Sequence, residues 1–254
     1  MKKKKHRLYS LGCFVAIIGI WCALTYSGYL KPIYLPTPTS VVNAVIDKIK
    51  DGTLWADCLV SIKRVMFGWA LAAVLALPIG VICANAPRIK AMIQPIMEFF
   101  RYLPVTALVP LTIIYCGIEE GQKYTIIFLG TFFQLVLMVE DTVASVDRNL
   151  LNAAKTLGTS KAAVYYKVLL PASLPGIMDA FRMTIGWAWT YLIVAEMVSA
   201  DTGIGYFILV SQRYVATDQV FAGLIMIGII GLGTDFIMRL LTKLVVPWYE
   251  RLGE

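Results

Sequence analysis

Charge, histidine and paired cysteine are what this sequence has least of. Acidic and basic residues make up only 15% of the 254 residues, where soluble domains run at about a quarter. Against that stand 59% apolar residues and a mean hydropathy of +0.73. A soluble globule of this size has too little interior to hide so much apolar surface from water. Disorder, a collagen-like chain and a secreted disulfide scaffold are excluded by the same composition. The single histidine, His6, sits in a basic tail, and the five cysteines (Cys13, Cys22, Cys58, Cys83, Cys116) never fall at Cys-x-x-Cys spacing. A zinc or iron–sulfur site therefore has almost no ligands to draw on, and no metal is expected. The cysteines read as small hydrophobes. The apolar runs hold no histidine, and Gly-x-Ser-x-Gly and Gly-x4-Gly-Lys-Ser/Thr are both missing. No catalytic residue is expected, and nothing here would cradle a nucleotide's phosphates.

What the sequence has is apolar runs long enough to cross a bilayer, which takes about 20 residues. Six are expected to be transmembrane helices: Leu8–Tyr29, Val65–Asn85, Ile89–Cys116, Tyr124–Val143, Leu174–Ala200 and Val220–Leu244. The third carries Pro104 and Pro110, and a break is expected near Leu103-Pro104, where proline removes a hydrogen bond and clashes with the preceding turn. The fifth is expected to start just after Pro171. Lys and Arg in the short loops set the orientation. Lys2, Lys3, Lys4, Lys5 and Arg7, then Arg88 and Lys90, then Arg148, Lys155, Lys161 and Lys167, then Arg239, Lys243 and Arg251 fall on one side. Both termini are thus expected in the cytoplasm, as an even span count requires. The first run is too long for a signal peptide and lacks a small-residue cleavage site, so it reads as a retained helix. The net charge of +7 follows from this topology, with no call for a nucleic-acid partner. The whole chain, 1–254, reads as a single all-α membrane domain.

Three connecting segments carry more than linkage. Between the first two spans, Leu35-Pro36-Thr37-Pro38 precedes an amphipathic stretch (Val41, Val42, Val45, Ile46, Ile49) with Ser40 as its expected N-cap. After the fifth span, Gly203 to Tyr214 reads as a short helix following a Gly-x-Gly turn. The segment at about 147–171 is longer than a connection needs. It reads as a short helix, roughly Arg148–Leu157, stopped by Gly158, then a second helix, Lys161–Leu169. The adjacent Ala153 and Ala154 leave a shallow face that another protein's surface can approach; an ordinary surface turn explains the same residues equally well.

Asn152-Ala153-Ala154, three residues, Gly158, nine residues and Val168-x-Leu170-Pro171 resembles the Glu-Ala-Ala signature of ABC-importer membrane subunits. Spacing agrees throughout; Asn152 replaces the acid and Val168 the isoleucine. Leu35-Pro36-x-Pro38, Phe100-Arg101-Tyr102-Leu103-Pro104, Ala107-Leu108-Val109-Pro110-Leu111, Tyr115-Cys116-Gly117-Ile118 and Thr202-Gly203-Ile204-Gly205 are similar to the sulfonate, taurine, nitrate and bicarbonate branch of that family. The resemblance implies a type I importer permease in a bacterial cytoplasmic (inner) membrane. It implies a homodimer, two cytoplasmic ATPase subunits that bind ATP and Mg, and an external binding protein. Coupling would run through Asn152, Ala153, Ala154, Gly158, Val168, Leu170 and Pro171. The chain itself would hold no cofactor and perform no chemistry. A small oxyanion is the expected substrate. A heteroaromatic vitamin precursor (pyrimidine or flavin) is the alternative, and a self-sufficient secondary transporter a remote third reading.

Ionisable groups at membrane depth are candidates for the translocation path. Arg101 lies twelve residues into the third run, about 18 Å along a helix, and Arg182 eleven residues beyond Pro171. Each has an acid three residues earlier, Glu98 and Asp179, so local pairing competes with a role in the path. Glu196 could be a cavity or gate group, or simply sit at the interface. Glu140 and Asp141 read as interfacial. Gln134, Trp187, Trp189 and Tyr191 are polar or aromatic enough to face a substrate, and Gly223, Gly228, Gly231 and Gly233 read as close helix contacts.

Overall fold

A computed structural model describes residues 2–248, with the side chains of residues 2–8, 10 and 11 left undescribed. Arg251 and the side chains of His6 and of the basic tail (Lys2, Lys3, Lys4, Lys5, Arg7) therefore lie outside the described residues. Every regular element within them is helical. The order is α1 (Lys2–Tyr26), α2 (Pro38–Lys50), α3 (Thr53–Asn85), α4 (Pro87–Arg101), α5 (Val105–Cys116), α6 (Glu120–Ala144), α7 (Arg148–Thr156) and α8 (Lys161–Val164). A π-helical turn, Tyr165–Leu169, leads into α9 (Leu170–Ser199), followed by α10 (Ile204–Arg213) and α11 (Thr217–Val245). Four helices are long and apolar enough to cross a membrane: α3, α6, the continuous run Lys161–Ser199, and α11. The pair α4–α5 makes a fifth if taken as one span, bent by 99° at the expected place. In α1 the apolar part, Gly12–Tyr26, is shorter.

The core is a layer of α3, α6 and α9. Their facing residues Val65, Ala72 and Ala76, Ile127, Leu135 and Val139, and Ile185, Ala188 and Leu192 are all buried. Small residues set the spacing. A Cβ on Gly68 would meet Ile127 at 2.8 Å, and one on Gly80 the Val136 carbonyl at 2.7 Å. In lipid, where apolar surface gains little by self-association, such close contact is what holds helices together. The glycines expected in this role lie elsewhere: Gly228, Gly231 and Gly233 have nothing within 4 Å, while Gly223 does pack against Ile208.

Several boundaries differ from expectation for local reasons. Helix α2 is capped by Thr37, whose hydroxyl accepts from the Ser40 amide at 3.2 Å; Pro38 at the first helical position needs no acceptor for an N–H. Helix α3 begins at Thr53, twelve residues before the apolar run, with Asp57, Ser61 and Arg64 paired rather than solvated. Asp57 takes Lys48 at 3.0 Å and the Gly203 amide at 2.9 Å. The helix of the fifth span does not start after Pro171. It runs on from Lys161 through the π turn, where the Leu170 amide reaches Tyr165, and meets that proline two residues beyond it.

Candidate functional site at the broken helix

The break between α4 and α5 opens a cavity of about 430 Å³. Pro104 ends one helix and starts the next: it lacks the N–H that would continue α4, and its φ of −60° suits the position before α5. Arg101, the last residue of α4, is thereby left at the rim. Gln134 enters from α6, and Trp187 and Tyr191 from α9. Four residues expected to face a path, Arg101, Gln134, Trp187 and Tyr191, therefore converge on one space. Gly130 seats the Tyr191 ring, since a Cβ there would strike it. Phe100 and Phe133 stack at 4.9 Å behind the opening.

Arg101 does not pair with Glu98. Its guanidinium donates to the Tyr102 hydroxyl at 2.8 Å and lies over that ring at 4.8 Å, while Glu98 accepts from Gln94. No carboxylate among the described residues lines the cavity. Among the described residues the Gln134 amide and the Trp187 indole N–H have no hydrogen-bond partner. Trp69 and Trp189, by contrast, spend theirs on Thr184 and Thr234, at 3.0 and 3.1 Å.

The remaining candidates lie elsewhere. Arg182 is held by Asp235 of α11 at 2.5 Å, not by Asp179, and Asp235 also accepts from Arg239 at 2.6 Å. Glu196 is fully buried and is not among the residues that line the cavity at the break. It accepts from Ser61 at 2.7 Å, from the Gly205 amide at 2.7 Å and from Arg64 at 2.9 Å. Arg64, 1% exposed, places all five donors of its fork: Nε and Nη2 on Glu120, Nη1 on Glu196 and the Thr202 carbonyl, and a longer contact to the Thr202 hydroxyl. Gly203 turns at φ +108° beneath this knot, where a side chain would strike the Glu196 carboxylate. Sequence reasoning missed Arg64 because it stands one residue before the apolar run. The signal was there: Leu54, Cys58, Ser61 and Val65, at helical spacing around it, are all buried. Glu140, expected at the interface, is 2% exposed and takes Lys90 of α4 at 2.5 Å.

At the opposite end of α9 from this knot, α7 lies open. The Asp147 side chain caps its start, accepting from the Asn149 amide at 2.8 Å. Gly158 closes it at φ +77°, with its amide on Lys155 and that of Thr159 on Ala154. Asn152 and Ala153 are exposed and Ala154 half-buried; Val168, Leu170 and Pro171 are half-buried at the root of α9. Leu157 is 85% exposed, and Tyr166 beyond the turn 67%.

This architecture has counterparts. Residues 76–250 match the family described as binding-protein-dependent transport system inner membrane component. A protein of Brucella abortus (strain 2308) named as a probable ABC transporter permease is 35% identical over 249 residues, covering 96% of this chain and 98% of its own. The taurine transport system permease protein TauC of Escherichia coli (strain K12) is 30% identical over 245 residues, covering 94% of this chain and 89% of its own. A chain of the MetNI methionine ABC transporter, solved in inward-facing conformations, shares the fold at TM-score 0.66 and 20% identity, over 78% of this chain and 98% of that one. With a match across most of its length and relatives aligned nearly end to end, the chain belongs to the family of binding-protein-dependent inner membrane transport components, as a multi-pass permease of the ABC-importer class.

Proposed function

We propose that this chain is the translocation subunit of an ATP-driven importer for a small oxyanion, and that substrate passes the α4–α5 break under Arg101. The observation that carries the reading is the convergence of Arg101, Gln134 and Trp187, from three different helices, on one cavity without a carboxylate. A helix broken at membrane depth exposes backbone and side-chain donors where a continuous one cannot, and a guanidinium recognises oxyanions through paired donors. The taurine named for one relative is an acid of this kind. Arg182 and Glu196 serve as packing partners in this account, outside the path.

The working assembly is a homodimer with two cytoplasmic ATPase subunits and an external binding protein. It sits in a bacterial inner membrane with six spans per chain, α1 supplying the sixth, and both termini inside. The ATPases hold ATP and Mg; this chain contributes none of the chemistry. Their closure moves α7, held through the face of Asn152, Ala153 and Ala154 and the exposed Leu157. The rigid run from Lys161 through Pro171 into α9 carries the movement to Trp187 and Tyr191 at the cavity.

The test is uptake by proteoliposomes holding the complete complex, with taurine, nitrate and bicarbonate as probes. Arg101→Ala is expected to lower the rate for the accepted anion by about tenfold or more, the loss of one charge-assisted contact, with ATPase assembly intact. An unchanged rate would assign Arg101 to the Tyr102 contact alone.

A further inference from the structure

The cavity at the α4–α5 break is far larger than a bare inorganic oxyanion, and five of its thirteen lining residues are aromatic. Its volume of about 430 Å³ falls in the range of sites that enclose organic ligands, roughly 300–1,000 Å³. Tyr102, Phe133, Trp187 and Tyr191 supply aromatic surface around one cation, Arg101, and one amide, Gln134. Nitrate or bicarbonate bound at those donors would fill only a small part of the space and leave its aromatic surface without a partner. Arg101 and Trp187 carry donors without acceptors, and those of Trp187 and Gln134 are unspent among the described residues. Rings and donors thus share a single space.

We infer that the substrate class is an organic anion carrying a planar ring, its sulfonate or carboxylate head toward Arg101 and its ring among Phe133, Trp187 and Tyr191. This rests on the anion reading above and narrows it. The head meets the guanidinium, with the Gln134 amide and Trp187 indole N–H as further donors. The ring exchanges water for offset or edge contacts with the aromatic walls. Gly130 keeps the Tyr191 ring back against α6, leaving the space open.

The experiment is equilibrium binding of benzenesulfonate and methanesulfonate to the permease–ATPase complex in lipid nanodiscs, with the binding protein omitted so that only the cavity selects. Benzenesulfonate is expected to bind about tenfold tighter, and Trp187→Leu to cut that ratio about five- to tenfold, the worth of an aromatic contact. Tyr191→Leu should act in the same direction, which guards against a misfolded single variant. Arg101→Ala should weaken both probes alike. Equal affinity for the two sulfonates, or Leu variants that leave their ratio unchanged, overturns the ring inference while the oxyanion reading stands. Binding of neither sulfonate, or binding indifferent to Arg101→Ala, overturns the anion reading itself.

Discussion

Replacing Arg64 with methionine is expected to destabilise the fold by about 3–5 kcal/mol, the usual consequence of leaving half of a buried ion pair behind. Glu120, with 46% of its side chain exposed, can turn to solvent, but Glu196 is fully enclosed. Ser61 and the Gly205 amide still bond Glu196, yet its charge would have no counterion. The damage spreads because the same guanidinium ties the Thr202 carbonyl to α3. The ends of α3, α6 and α9 that meet at this knot and the turn into α10 lose their common fastening together. Thermal unfolding of the purified protein in detergent measures this. The double variant Arg64→Met with Glu196→Gln should recover a large part of the loss, since it removes the orphaned charge. A single variant as stable as the parent would show that water already reaches this site.

Leu157→Asp is expected to release the ATPase subunits, weakening their retention by about thirtyfold or more, the scale of losing one well-buried interface anchor. The reason is its setting. A leucine 85% exposed at the end of a nine-residue helix contributes little to its own chain's packing, and the Gly158 cap holds it in a fixed direction. A carboxylate at that position would have to be desolvated on docking. Pull-down of the ATPase by detergent-solubilised permease gives the answer, with Lys161→Ala nearby as a surface control. Full retention by Leu157→Asp would move the docking face away from α7.

How much of this was legible beforehand depends on whether the governing interaction is local. The break at Leu103-Pro104 and the turn at Gly158 were both readable, because a missing N–H and a left-handed φ are properties of single residues. The long apolar helices α3, α6, α9 and α11 were readable because about twenty apolar residues lie together in each. The partners of Arg101 and Arg182 were not. Acids three residues away on the same helix suggested local pairs, which are worth only about 0.2–0.5 kcal/mol. In the fold, Asp235 reaches Arg182 from a helix some fifty residues on, and Tyr102 takes Arg101. Arg64 was hidden for a related reason. Its counterions lie 56 and 132 residues away in sequence, so nothing local marks this arginine at the edge of an apolar run. The cavity lay between these cases: its residues could be suspected one by one, while their convergence is a product of packing.

The central claim is that this chain passes substrate only when a partner spends ATP. Uptake into proteoliposomes containing the permease alone, compared with permease plus ATPases, binding protein and internal ATP, tests it most directly. Accumulation is predicted in the complete system alone, and lost when ATP is replaced by a non-hydrolysable analogue. Uptake by the permease alone at a comparable rate would contradict the account and make the chain a self-sufficient carrier.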